Sequence, residues 1–505
     1  MNKLKLLSLA CATAYPVQQA VAQEEKNTPE RPNIILIMTD QQRFDALGAM
    51  GNEQIHTPHL DQLAQDGTLF MNAYSSTPSS TPARAGLLTG CSPWKHGMLG
   101  YYQTAPDYPH TMPQMLRDAG YFTFGIGKMH YTPQRNLYGF HGTLLDESGR
   151  VYSDDYVSDY RQWLQVQAPG SDPDLTGIGW NDHRGGVYKL KENLHPTYWT
   201  GNQAVQFIEN YELDKPLFLK VSFARPHSPY DPPQRYYDMY KDQDVPTPWV
   251  GDWAERFANY PNTPDAAFGD FGVDHAVDSR KHYYAAVTFV DDQIGKVIDA
   301  LKAKGIYDNS LILFVSDHGD MLGDHHHWRK TYAYEGSSHV PFIVKAPNDA
   351  RFTSKRGEKL NQVVEIRDIL PTFLDAATII QPNTMDGQSV LPLLMEPKYG
   401  WREYIDLEHA TCYSDENYWA ALTDGKMKYI WFFSTGQEQL FDLQKDAGEE
   451  VNLAGKKRYN KELKKWRERM VLHLKERGEP YVVDGKLNVF TKTILTSPNY
   501  PKAKK

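Results

Sequence analysis

The chain has 505 residues, with 54 Lys+Arg against 63 Asp+Glu and a formal net charge of −9. Its 40% hydrophobic and 23% charged residues are ordinary globular composition, which excludes a disordered or fibrous protein. The acidic balance argues against a nucleic-acid binder that relies on phosphate neutralisation, and three cysteines (Cys11, Cys91, Cys412) exclude a disulfide scaffold or a four-thiolate metal site.

The N-terminus is basic, then apolar, then small, with Ala20-Val21-Ala22 ahead of Gln23. That order predicts an export signal over residues 1–22 and a periplasmic or secreted protein. Lipid anchoring through Cys11 is disfavoured, because Ser8 stands where a large aliphatic residue is preferred. No later segment reaches the roughly 20 apolar residues that span a bilayer.

From Pro32 onward, aliphatic runs alternate with amphipathic ones. Buried strands are predicted over Asn33–Met38, Tyr121–Gly125, Pro216–Phe223, Ser310–Val315 and Pro341–Val344, with helices over His59–Gln65 and Tyr283–Lys304. Pro82 suits the first turn of another helix, with Ser80 near its cap. Such alternation indicates an α/β domain whose mostly parallel sheet is covered by helices on both faces, over 30–400. After Trp401, the Asp424-Gly425 hairpin signal and a helix bearing Leu463, Trp466, Met470 and Leu474 predict a smaller antiparallel-sheet subdomain over 401–505.

Polar residues follow four of the strands: Asp40, then Lys128 and His130, then Arg225 and His227, then Asp317 and His318. In a parallel α/β sheet the carboxyl ends of the strands form the ligand-binding edge, so these clusters are expected to converge. One polar residue at a strand end is unremarkable; four clusters rich in Asp, Lys and His point to a site.

Several motifs then occur in one order: Ser80-Thr81-Pro82-Ala83-Arg84 with Leu87-Leu88-Thr89-Gly90, Gly127-Lys128-Met129-His130, Pro226-His227-Ser228-Pro229, Asp317-His318-Gly319 and Trp328-Arg329-Lys330. Together they resemble a type I, formylglycine-dependent sulfatase of the alkaline-phosphatase superfamily, in its serine form, over nearly the whole mature sequence. The resemblance implies that Ser80 is oxidised to formylglycine (3-oxoalanine) by an anaerobic sulfatase-maturating enzyme. One hydroxyl of the hydrated aldehyde would attack sulfur, and the other would then expel sulfate. It further implies metal ligation by Asp40, Gln41, Ser80, Asp317 and His318, with Ca²⁺ favoured and Mg²⁺ or Mn²⁺ as alternatives. Gln41 departs from a tandem Asp pair, and His318 replaces a frequent Asn.

By the same resemblance Arg84 holds the formylglycine, Lys128 and Lys330 contact sulfate oxygens, His130 deprotonates the hydrated aldehyde, and His227 protonates the leaving group. Arg225, Arg329 and the run His325-His326-His327 are expected at the substrate mouth. The stretch Gly323–Lys330 is similar to that of bacterial uronate 2-O-sulfatases, which suggests a sulfated glycosaminoglycan fragment of the heparan type as substrate. Two rivals stand beside this reading: a phosphonate monoester or phosphodiester hydrolase of the same superfamily, and a non-catalytic sulfoglycan-binding protein with Ser80 unconverted.

Overall fold

The computed structural model describes residues 31–352 and 356–502. The predicted export segment, Cys11 included, therefore lies outside the described residues.

Twelve strands form the two larger sheets: β1 (Asn33–Asp40), β2 (Thr68–Tyr74), β3 (Phe122–Gly127), β4 (Gly142–Leu145), β5 (Leu217–Pro226), β6 (Ser310–Ser316), β7 (Phe342–Lys345), β8 (Glu358–Glu365), β9 (Ile405–His409), β10 (Trp419–Thr423), β11 (Met427–Phe432) and β12 (Glu438–Asp442). The first eight lie in one sheet ordered β4-β3-β5-β1-β6-β7-β2-β8, parallel except for β7. The last four form an antiparallel sheet ordered β12-β11-β10-β9. The fold is thus the alkaline-phosphatase-like arrangement of a mostly parallel sheet with a small antiparallel one beside it.

Strand β1 shows why the aliphatic runs become central strands. Ile34, Leu36 and Met38 enter one apolar core with the Ser80–Thr89 and Ile369–Ala376 helices. Ile35 and Ile37 enter the opposite core with the Pro58–Asp66, Pro196–Glu209 and Val273–Ala303 helices. Alternate side chains point to opposite faces, so a strand covered twice must be apolar at every position.

Two boundaries differ from expectation for physical reasons. The long helix begins at Val273, ten residues before its apolar stripe becomes visible. Its first turns carry polar side chains held by tertiary contacts: Ser279 donates to the His183 carbonyl (2.6 Å) and Arg280 pairs with Asp324 (2.5 Å). Strands β2 and β8 lie at the edge away from the site, and β8 alternates exposed polar residues with buried ones, so neither forms a continuous aliphatic run.

In the smaller sheet the Asp424-Gly425 hairpin forms as predicted, and Gly425 takes a positive φ of 77°. Leu463, Trp466, Met470 and Leu474 of the Asn460–Leu474 helix are all buried against it.

Candidate active site

Strands β3, β5, β1 and β6 are neighbours, so the four polar clusters meet at their carboxyl ends. The Ser80–Thr89 helix begins at the same edge, preceded by Ser79 in extended conformation. Ser80 is its first residue, and its hydroxyl lies 3.2 and 3.4 Å from the Asp40 carboxylate oxygens and 3.1 Å from His318 Nε2. The helix start directs its positive dipole end at whatever Ser80 meets.

The turns that follow the strands aim the other groups. Gly127 has φ 91°, and a Cβ there would lie 2.1 Å from the Ser222 carbonyl oxygen, which instead accepts the Lys128 amide at 2.7 Å. Gln41, His130 and Arg329 adopt left-handed backbone at φ 70°, 59° and 68° without being glycine. Strained backbone of this kind persists only where the surroundings hold it, and it clusters at functional sites.

Arg84 organises the centre. Its guanidinium donates to Asp317 (2.9 Å), Asp40 (3.2 Å), the Lys128 carbonyl (2.7 Å) and Ser222 (3.1 Å). Lys128 Nζ lies 2.5 Å from the Asp40 carboxylate. Burial by itself would raise the Asp40 carboxyl, but Lys128, then His227, Arg84 and His318, hold it well below the usual carboxylate range.

Asp40, Asp317 and His318 are fully buried, with ligand atoms within 4.8 Å of one another. His318 Nδ1 lies 2.9 Å from the Gly319 carbonyl, which can only accept, so Nε2 is left bare and faces Ser80. Burial also pushes this imidazole below its ordinary range, in keeping with a neutral ligand. Two carboxylates and a neutral imidazole make a donor set that fits a divalent cation. The Gln41 side chain bridges two neighbours: its oxygen accepts from Lys330 Nζ (2.8 Å) and its amide donates to Asp320 (2.6 Å).

Lys330 Nζ also lies 2.6 Å from His227 Nε2. His227 Nδ1 donates to the Ser228 carbonyl (2.8 Å), so Nε2 is the acceptor. Burial, then Lys330, keeps His227 well below its ordinary range. Burial pushes Lys128 down to about 8, with Arg150 adding to the effect, and Lys330 down to about 7. His130 Nε2 is 3.0 Å from the Tyr152 hydroxyl, while its Nδ1 is buried without a hydrogen-bond partner. Arg84, Lys128, Lys330 and Arg150 thus gather basic side chains beside Asp40 and Asp317, an arrangement suited to an anion.

Comparison with known proteins accords with this geometry. A family model described as Sulfatase matches residues 32–379, and one described as N-sulphoglucosamine sulphohydrolase, C-terminal, matches residues 323–476. The chain belongs to the sulfatase family. It is 40% identical over 472 residues to an arylsulfatase of Clostridium perfringens, covering 90% of this chain and 97% of that protein. It is 31% identical over 452 residues to a choline-sulfatase of Rhizobium meliloti, covering 85% and 83%. Among solved structures, the phosphonate monoester hydrolase of Agrobacterium radiobacter superposes with a TM-score of 0.72 at 25% identity, covering 88% of this chain and 96% of that one.

The other residues of this sulfatase expected at the mouth are buried, as Ser80, His227 and Lys330 also are. His325, His326 and His327 lie in the interior, exposed by 1%, 8% and 3%. His325 packs on Trp253, with ring centroids 4.6 Å apart, and His327 on Phe257 and Tyr332, at 4.4 Å each. Arg225 spends two nitrogens on Asp231 (2.7 and 3.0 Å) and lies 5.6 Å from the Trp180 ring, while its Nη1 is buried without a hydrogen-bond partner. Arg329 donates to the Asp265 carbonyl (2.6 Å) and stacks over Tyr413 at 4.3 Å.

Four neighbours of the site were not singled out from the sequence. Arg150 and Tyr152 come from the loop after β4, where Gly149 at φ 71° was the one turn signal. Asp320 accepts from Gln41 and from Tyr230 (2.5 Å); its signal was its place three residues after Asp317. His409, at the end of β9, lies 2.8 Å from the Ser79 hydroxyl with its Nδ1 on the Ala410 carbonyl (2.6 Å), so the smaller sheet reaches the residue before Ser80.

Proposed function

We propose that this sulfatase removes a sulfate ester from a carbohydrate, with Ser80 as the residue converted to formylglycine. The observation that carries the reading is the Ser80 hydroxyl at a helix start, 3.1–3.4 Å from Asp40 and His318, with Arg84 and Lys128 paired to the same Asp40 carboxylate. Converted, Ser80 would supply an aldehyde whose hydrate is the nucleophile. Asp40, Asp317 and His318 would hold the metal ion, Ca²⁺ in first place, with Gln41 adjoining; when bound it would add positive charge beside the nucleophile.

The chain's own residues account for the rest. Arg84 pairs with both carboxylates and fixes their direction. Lys128, paired with Asp40, and Lys330, on Gln41 and His227, would present point charges to sulfate oxygens. His227 Nε2, in contact with Lys330, is the relay that delivers a proton to the departing oxygen, and His130 Nδ1 is available to accept one from the nucleophile.

The likeness of Gly323–Lys330 to uronate 2-O-sulfatases makes a uronate 2-O-sulfate the first substrate to try, and His325, His326 and His327 within it are as buried as Ser80, His227 and Lys330 or only slightly less so. Product analysis on defined sulfated disaccharides (uronate, galactose, fucose and hexosamine esters) tests the proposal, together with the intact mass of protein matured in an anaerobic host. The expected result is free sulfate from at least one sugar and a mass two hydrogens lighter. Turnover by protein of unshifted mass would remove the formylglycine step.

A second reading, phosphonate monoester hydrolysis, is favoured by the likeness to the Agrobacterium radiobacter enzyme. Paired aryl sulfate and aryl phosphonate esters separate the two: a much higher kcat/KM on the phosphonate would replace the first reading.

A further inference from the structure

We propose that a cavity beside Tyr152 is a subsite for an uncharged pyranose linked to the sulfated unit, so that the enzyme prefers an oligosaccharide to a monosaccharide. The inference rests on the carbohydrate reading above.

The cavity has a volume of about 450 Å³ and is walled by residues 132–135, 152–153 and 155–157, with Gln103 and Gln162. That volume lies within the range of small-molecule sites. It adjoins the reaction site through one shared wall: the Tyr152 hydroxyl is on His130 Nε2, and the Tyr152 ring lines the cavity. Gln134 fixes this wall, because its oxygen accepts from the Tyr152 amide (3.1 Å) and its amide donates to the Arg150 carbonyl (2.7 Å). The same side chain thus sets the position of the cavity and of Arg150 in the anion site.

The chemistry of the lining selects the ligand. Tyr152 and Val157 are each exposed by 46%, so the rim keeps apolar surface in water that a sugar face would cover. The amides of Gln103 and Gln162 and the Ser153 hydroxyl supply donors and acceptors for sugar hydroxyls. The charge balance excludes a second anion. Arg135 is neutralised by both oxygens of Asp159 (3.2 Å each), and the other charged lining residue is the carboxylate Asp155. A second sulfate or a uronate carboxylate would meet no uncompensated cation there, in contrast to the basic side chains gathered beside Asp40 and Asp317. An uncharged hexose or N-acetylhexosamine matches both the size and the charge.

The test compares matured wild-type enzyme with Ser153→Trp, which fills the cavity from an exposed position, and Gln162→Ala. Substrates are 4-nitrophenyl sulfate, a sulfated monosaccharide, and the disaccharides that add one uncharged pyranose at either end. One stacked ring predicts a wild-type kcat/KM about tenfold higher on one disaccharide than on the monosaccharide. Ser153→Trp should abolish that preference while leaving 4-nitrophenyl sulfate within about twofold, and Gln162→Ala should reduce it. Equal wild-type rates on monosaccharide and disaccharides, or a loss in Ser153→Trp shared equally by all substrates, would overturn the subsite. Turnover of 4-nitrophenyl sulfate with no sugar sulfate cleaved would overturn the carbohydrate reading, and the subsite with it.

Discussion

Acidification gives a quantitative test of what the histidine run does. Burial pushes His325 down to about 4 and His327 down to about 3, and His96 in the Pro93–His96 turn down to about 3. Each is an acceptor or packing group that stays neutral in the folded protein. The unfolded chain takes up a proton on each near pH 6.5, whereas the folded chain does so only at about 3 to 4. Their stabilising effect is therefore complete above about pH 6.5 and is lost as pH falls toward the folded values. Between about pH 7.5 and about pH 5.5 the linkage relation gives about 1.4 kcal/mol per histidine, hence about 4 kcal/mol for the three. His327→Phe keeps the ring among Phe257 and Tyr332 but loses the contact of Nδ1 with the His325 carbonyl (2.7 Å). It should start about 1 kcal/mol less stable at neutral pH and then lose about 1.4 kcal/mol less on acidification. Urea unfolding at the two pH values measures both quantities, and kcat/KM at neutral pH should stay within about twofold of wild type. A variant with the full acid sensitivity, or one of unchanged stability but much reduced kcat/KM, would refute packing as the role of His327.

His227→Gln should slow hydrolysis of an unactivated sugar sulfate by about 10²–10⁴-fold but 4-nitrophenyl sulfate by less than about tenfold, since only a poor leaving group needs the proton. Equal losses on both would assign His227 to binding. Exhaustive chelation should abolish turnover and lower the thermal midpoint, and added Ca²⁺ should restore both; full activity after chelation would discard the metal role of Asp40, Asp317 and His318. Arg477 and Glu408 are buried and doubly bonded at 2.7 Å, so Arg477→Met should cost about 3–5 kcal/mol by stranding a carboxylate. Combined with Glu408→Gln it should cost clearly less than the sum, and strict additivity would show that the pair is uncoupled.

How far the site was legible depended on distance along the chain. Asp40, Lys128, His130, His227, Asp317 and His318 each follow an aliphatic run closely, and a run of that kind becomes a central strand whatever surrounds it. Their convergence followed from the rule for parallel sheets. Arg150 and Tyr152 follow a short edge strand, and His409 ends a strand of the smaller sheet. Nothing local marks these as neighbours of Ser80, because they arrive there through strand order and subdomain packing. The histidine run shows the converse: a conspicuous pattern that folding turns inward, where aromatic rings from residues 253–257 and 332–334 enclose it.

The sequence by itself determined the α/β class and the residues that meet at the sheet edge. These depend on composition, on period-two and period-3.6 patterning and on short motifs, all of which are local. Only the tertiary structure decided that an acidic chain of net charge −9 gathers basic side chains around two buried carboxylates, which histidines carry bare nitrogens, and which pack among aromatic rings. Those properties depend on burial and on partners hundreds of residues away, such as Arg84 with Asp317 and Gln41 with Lys330, and three-dimensional packing alone sets them.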